Sequence, residues 1–153
     1  MAFPSATEEQ IKEGKSLAWL AYVGVAAVII PFVGWLAGLL FLVPLLAHKD
    51  NPFSKYHGRQ GMVLFMFEVA FGIIIGILWA IAGAIAVASY GYGYGIGMGI
   101  CGVLVWIVIV LVGLALEVLS IIGLIQAAQG KFWKMPVIGA IAESWFKGMV
   151  PTA

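Results

Sequence analysis

Two glutamates are the only charged residues between Gly61 and Gly130, and carboxylates in such apolar surroundings can hold protons or cations. Counted from a predicted helix start near Gln60, Glu68 lies about 12 Å along the helix axis. Glu117 lies at a matching depth, about 13 Å before Gln126, in the next helix, which returns to the same side. Because an ionised carboxylate inside a bilayer costs a few kcal/mol, we expect at least one of the two to be protonated or paired.

Small residues at four-residue spacing follow Glu68 on the same helix face. They are Gly72, Gly76, Ala80, Ala84 and Ala88. Such a file lets helix backbones approach closely, so Glu68 is predicted to face a partner helix, in the same chain or in a second copy. Glu117 has Ser120 nearly one turn later, which predicts the same. The pair is either a proton- or cation-handling site or a contact, sharing a proton or bridged by Ser120, that fixes helix register.

Other combinations of reactive residues do not predict a site. His48, Asp50, Asn51 and His57 could ligate a metal, but their spacing is not that of a compact metal site, and a solvated loop is the better interpretation. The letters "GMGICG" match a dinucleotide-binding pattern, yet they follow a glycine-tyrosine loop rather than a strand. Hydrolase signatures are absent from the sequence. We therefore predict no enzymatic activity, no cofactor and no metal.

The composition places the chain in a membrane. Of its 153 residues, 63% are hydrophobic and only 10% are charged, too few to cover a soluble domain of this size. The net charge of +1 does not support a nucleic-acid partner, which requires a clustered basic face. The lipid bilayer is the expected partner, with other membrane proteins or a second copy as further candidates.

The pattern of apolar segments predicts an all-α membrane bundle. The uncharged stretch 17–47 is too long for one span, since about 20 residues cross a bilayer, and Pro31 and Gly34 offer a break. We expect a hairpin there and hence four helices; one long helix, giving three spans, is the alternative. A polar segment, 1–16, precedes the bundle 17–128, and "TEEQ" predicts a capping box at Thr7 and Gln10. The predicted spans are 17–30, 34–47, 60–88 and 98–128.

The basic residues indicate the orientation. They precede the first apolar run, follow it at Lys49, Lys55 and Arg59, or lie after the last run, and the "SYGYGYGIG" loop contains none. With four spans all of them lie on one side, so the positive-inside rule predicts that the charged loops and the C-terminus are cytoplasmic in a cell membrane. The segment 129–153 is predicted to form an interfacial amphipathic helix, with Ile138, Ile141, Ala142, Trp145 and Met149 on its apolar face and a Glu143–Lys147 pair on the other.

The stretch "NPFSKYHGRQGMVLF" resembles a mostly uncharacterised family of small bacterial and archaeal membrane proteins. The shared motif is an aromatic residue, histidine and glutamine, here Tyr56, His57 and Gln60. A second match is "GKFWKMPVIGAIAES" near the C-terminus, and "FLVPLLAHKD" is similar to magnetosome membrane proteins of the MamF type. More distantly, the arrangement is similar to the small channel-like subunit of the chloroplast inner-envelope import machinery. The resemblance implies the multi-pass architecture.

The motif suits the start of a membrane span. His57 and Gln60 are predicted to lie near the first turn of a helix, where backbone N–H groups need partners, and Arg59 could reach lipid phosphates. Contact with a partner protein or a substrate is the alternative. The predicted function is a non-enzymatic scaffold or accessory assembly subunit; the alternative is a small proton- or cation-linked transporter or channel subunit that uses Glu68 and Glu117.

Overall fold

The computed structural model describes residues 6–27, 33–88 and 96–146, and these residues are mostly helical, with no strand among them. Pro31, the tyrosine-glycine loop, Lys147 and Met149 lie outside the described residues. The described α-helices are α1 (Glu8–Ala18), α2 (Val33–Gly38), α3 (Leu42–Ala47), α4 (Pro52–Ala88), α5 (Ile96–Ala128) and α6 (Ile138–Trp145). Short 3-10 helices follow α1 (Trp19–Ala27) and α2 (Leu39–Phe41).

The start of α1 has the predicted capping box. The hydroxyl of Thr7 accepts a hydrogen bond from the Gln10 backbone N–H at 3.2 Å, and the Gln10 side chain accepts one from the Thr7 N–H at 3.0 Å. Two of the N–H groups that have no partner inside the helix are thereby satisfied. The sequence-based prediction is confirmed.

The first apolar stretch folds back on itself. The 3-10 helix Trp19–Ala27 packs against α2 and α3, and α1 packs against α3, so the segments before and after residues 28–32 are neighbours. Whether both segments cross a membrane stays a prediction. Among the described residues, two helical stretches are long and apolar enough to span one, Pro52–Ile85 and Gly102–Ala128.

The chain divides into two compact units. The first comprises Met1–Met66 and Glu117–Ala153, and the second is Phe67–Leu116. The second unit consists of the adjoining parts of α4 and α5, whose large apolar side chains are mostly exposed, as expected for lipid-facing helices. In this unit Phe71 of α4 lies beside Gly113 of α5, 3.9 Å from where a Cβ on the glycine would be.

The first unit is built on close helix approaches at glycines. A Cβ at Gly61 of α4 would clash with the Ala21 carbonyl oxygen and lie 2.8 Å from the Ala21 Cβ. A Cβ at Gly123 of α5 would lie 2.7 Å from the ring of Tyr22. Only glycine permits these approaches, so the segment containing Ala21 and Tyr22 is wedged between α4 and α5. This places the Tyr22 hydroxyl next to the His57 side of α4.

Candidate functional site

Helix α4 begins at Pro52, eight residues before the predicted start of the span. The side-chain oxygen of Asn51 accepts hydrogen bonds from the backbone N–H groups of Phe53 (3.0 Å) and Ser54 (3.1 Å). Asparagine as N-cap followed by proline at the first helical position is a strong start signal, and "NPF" contains it. His57 and Gln60 therefore lie in later turns, and their predicted role at the first turn is corrected: Asn51 caps the helix.

Asn51 and Ser54 also tie α4 to α1. The Asn51 amide donates a hydrogen bond to the Gln10 carbonyl oxygen at 2.7 Å, and the Ser54 hydroxyl donates one to the Gly14 carbonyl oxygen at 3.1 Å. Sequence reasoning missed both contacts, since nothing in the sequence of α1 indicates which of its carbonyl groups would receive them.

His57 is fully buried, and both of its ring nitrogens have partners. Nε2 lies 3.1 Å from the Lys131 carbonyl oxygen, and Nδ1 lies 2.9 Å from the Tyr22 hydroxyl. Because a carbonyl oxygen can only accept, Nε2 donates, and in the neutral imidazole Nδ1 accepts the Tyr22 proton. His57 thus joins the 3-10 helix Trp19–Ala27, α4 and the segment after α5.

Gln60 lies about one turn after His57 on α4, is 2% exposed, and binds the same segment. Its amide nitrogen donates to the Trp133 carbonyl oxygen at 3.0 Å, and its amide oxygen accepts from the Met135 backbone N–H at 2.7 Å. Bonds from His57 and Gln60 thus go to alternate residues of a non-helical segment, 131, 133 and 135. We call His57, Gln60 and the segment Lys131–Met135 the polar clasp.

Aromatic packing completes the polar clasp. The ring of Phe132 makes edge-on contacts with Phe53 and Tyr56, at centroid distances of 5.0 and 5.1 Å, and stacks at 6.5 Å on His57. Met135 is fully buried. The hydrogen bonds fix the backbone of the segment while the side chains of Phe132 and Met135 fill the apolar space, so polar and apolar contacts support the same geometry.

The chain beyond the clasp is held by different contacts. The guanidinium of Arg59, a buried residue, lies 5.7 Å from the centroid of the Phe146 ring, so Arg59 contacts the protein. Its predicted contact with lipid phosphates stays a prediction. Lys134 forms an ion pair with Glu143, the residue for which Lys147 was the predicted partner. Ile138 and Ala142, from the predicted lipid-facing side of α6, are buried in the protein.

A strained turn connects the clasp to α6. Val137 has φ 61° and ψ −62°, and the Ile138 N–H bonds to the Pro136 carbonyl oxygen at 2.7 Å, which together define a γ-turn with positive φ. A β-branched residue rarely adopts this conformation, which costs of order 1–3 kcal/mol. The contacts on both sides of Val137, made by Met135 and Ile138, hold the turn in place.

The predicted intramembrane residues all lie in helices. Glu68 is half-buried in the second unit, and Glu117 is half-buried and Ser120 buried in the first unit. In the small-residue file Gly72 is half-buried, and Ala80, Ala84 and Ala88 are exposed. A Cβ at Gly76 would meet no atom of the described residues within 4 Å. The carboxylate pair and the packing file stay predictions.

Within the described part of the chain, no three His, Cys, Asp or Glu side chains group so as to hold a metal ion. Of the residues considered above, His57 is bound in the clasp, and His48 Nδ1 lies 3.3 Å from the Ser54 hydroxyl. A polar depression of about 360 Å³ lies near His48, between α1 and the α3–α4 turn, and its walls carry both acidic and basic groups. It is lined by Gln10, Glu13, Ala47, His48, Lys49, Asp50 and Asn51.

Residues 13–142 match the family model MamF_MmsF, described as the magnetosome magnetite crystal formation protein family. The chain belongs to this family. The match includes Tyr22 and the entire polar clasp, so the two motifs that carry the resemblance are the two sides of one contact.

Two relatives come from the archaeon Methanocaldococcus jannaschii. The UPF0132 membrane protein MJ1527 is 26% identical over 74% of this chain and 62% of its own length, and the UPF0132 membrane protein MJ1443 is 30% identical over 73% of this chain and 77% of its own length. The chain thus spans less than two thirds of the first relative. No solved structure matches. The family and the apolar helices show a multi-pass membrane protein whose activity is unassigned.

Replacing Gln60 with leucine is expected to open the clasp. The change leaves the Trp133 carbonyl and the Met135 N–H buried without their partner, which costs about 1–3 kcal/mol for each group. The segment should then detach, so trypsin should cleave the micelle-solubilised variant after Lys131 and Lys134 several-fold faster than the parent. Gln129→Leu, at an exposed position beside the same segment, is the matched control. Equal cleavage of parent and Gln60→Leu would contradict a structural role for Gln60.

Proposed function

We propose that the protein is a non-enzymatic scaffold or assembly subunit of a cell membrane. The observation that supports this most is the use of the motif residues. Both ring nitrogens of His57 and both amide atoms of Gln60 bind the chain itself, so these groups serve the fold rather than a substrate. The alternative predicted for the motif, contact with a partner or substrate, is therefore disfavoured at His57 and Gln60.

A scaffold needs a surface for association, and the second unit offers one. Among the described residues, a Cβ at Gly76 or Gly83 would meet no atom within 4 Å, so these positions face outward from apolar helix α4. Small residues allow the backbone of a second helix to approach closely. The two helices then make more dispersion contacts with each other than either makes with lipid tails. We propose that this face, with Ala80 and Ala84, packs against a second copy of the chain.

The orientation follows from charge. We propose that the charged loops and the C-terminus are cytoplasmic, because no basic residue lies between Gly61 and Gly130, and the two basic residues of α4, Lys55 and Arg59, lie near its start. The family description adds one context: in a cell that forms magnetite, the scaffold would organise the membrane in which the crystal grows.

The association proposal is testable by energy transfer. Copies carrying a donor or an acceptor fluorescent protein at the C-terminus are reconstituted together in vesicles, and transfer is measured as unlabelled protein is added. We expect transfer that falls on dilution with unlabelled copies and a several-fold weaker association for Gly76→Leu, because the larger side chain separates the helices. Ile77→Leu, an exposed volume-conserving change one residue along α4, should leave association unchanged. Equal transfer for Gly76→Leu and the parent would contradict this face, and no transfer in the parent would contradict self-association.

A transporter or channel subunit is the second candidate. It is favoured by Glu68 and Glu117, which are half-buried carboxylates in helices that are otherwise apolar there, and ionisable groups in such helices commonly lie on ion or proton paths. We rank it below the scaffold because two glutamates and Ser120 are a sparse polar lining for a path.

Proton flux separates the two functions. Vesicles containing a pH-sensitive dye and the purified protein are given a pH step, and the parent is compared with Glu68→Gln and Glu117→Gln, which keep side-chain shape and remove the charge. The scaffold proposal predicts that all three match empty vesicles. Flux in the parent that either substitution lowers several-fold would overturn it in favour of transport.

A further inference from the structure

Helix α6 has a second apolar side that the fold leaves uncovered. Its inward side is fixed, since Ile138, Gly139 and Ala142 are buried. At 100° per residue, Ile141 and Trp145 lie together on one flank of that inward side, and Glu143 lies on the opposite flank in an ion pair with Lys134. The tryptophan is 56% exposed, and Val137, at the turn before the helix, is 69% exposed.

This arrangement differs from the face that the sequence alone predicts. The sequence groups Ile138, Ile141, Ala142 and Trp145 on one lipid-facing side, but the structure divides them: Ile138 and Ala142 enter the protein core, and Ile141 and Trp145 stay on its edge. Helix α6 is thus attached to the protein along one side. Of the two flanks next to that side, one is apolar and the other is charged.

Two features of the first unit indicate what covers the apolar flank. Exposed Val118, Ile121 and Ile125 on α5 form part of the lipid-facing surface, and this surface ends within one turn of Ala128, where the chain turns into the clasp. Two exposed basic residues, Lys131 and Lys15, lie beside the turn. The Lys15 side chain is 3.7 Å from where a Cβ on Gly130 would be. The apolar surface of α5 thus ends beside basic side chains. This is the arrangement expected where the acyl chains of a bilayer meet anionic headgroups.

We propose that the Ile141–Trp145 flank of α6 is inserted in the bilayer at the headgroup–acyl boundary. Tryptophan is enriched at this depth because its ring is apolar and its N–H can still reach polar partners. The polar clasp sets the angle at which α6 meets the lipid, because it fixes the segment immediately before the helix. This proposal is independent of whether the protein acts as a scaffold or a transporter.

Spin labels at single cysteines test the proposal. In a Cys101→Ser background the labels are placed at Trp145 and Ile141 on the flank and, as a matched control, at Ser144, which is exposed on the outward side of the same helix. The protein is reconstituted in vesicles of phosphatidylcholine and phosphatidylglycerol, and power-saturation spectra are recorded with oxygen, which concentrates in the acyl region, and with a nickel chelate, which stays in water.

The expected result is a several-fold higher oxygen-to-nickel accessibility ratio at residues 145 and 141 than at residue 144. A ratio at both flank positions equal to that at residue 144 would overturn the proposal, because the flank would then face water. Low accessibility to both reagents at both positions would also overturn it, because protein, and not lipid, would then cover the flank. Two flank positions guard against one label that disturbs the helix.

Discussion

The first unit depends on one interaction, the recognition of a non-helical backbone segment by two side chains of α4. A carbonyl or N–H group buried without a partner costs about 1–3 kcal/mol, and residues 131–135 are not in a helix that could satisfy their own groups. His57 and Gln60 supply three of the missing bonds. Since His57 also binds Tyr22, the same interaction joins the 3-10 helix Trp19–Ala27 to the C-terminal segment across α4.

The distribution of polar groups follows from the two solvents of a membrane protein. In the second unit the helices satisfy their own backbone groups and expose apolar side chains, as lipid requires. In the first unit the buried Asn51, Ser54, His57 and Gln60 lie near segments that are short, irregular or turning. Non-helical backbone is tolerated near a bilayer where protein covers it, and the aromatic rings of Phe53, Tyr56 and Phe132 provide that cover around the clasp.

The local features of this fold were predictable from sequence, and the long-range ones were not. The apolar runs predict helices, and "TEEQ" predicts the capping box, because both signals lie within a few residues. Asn51 and Pro52 are an equally local signal for the start of a helix. The prediction that the helix starts near Gln60 does not use this signal. The two partners of Gln60, and the Lys131 carbonyl that binds His57, lie more than 70 residues away and are backbone atoms, which have no residue-specific pattern. Likewise, a helical wheel for α6 cannot separate side chains that face protein from those that face lipid.

Hydrogen exchange at the Met135 backbone amide tests the central interaction most directly. This N–H lies outside any helix and bonds to the side-chain oxygen of Gln60, so the polar clasp alone accounts for its protection. Measured by NMR on the detergent-solubilised chain, its exchange is predicted to be slowed by orders of magnitude relative to an unstructured peptide, and in a Gln60→Leu variant the protection should vanish while that of the α5 amides persists. Exchange of the Met135 amide at the unstructured rate in the unaltered chain would contradict the account.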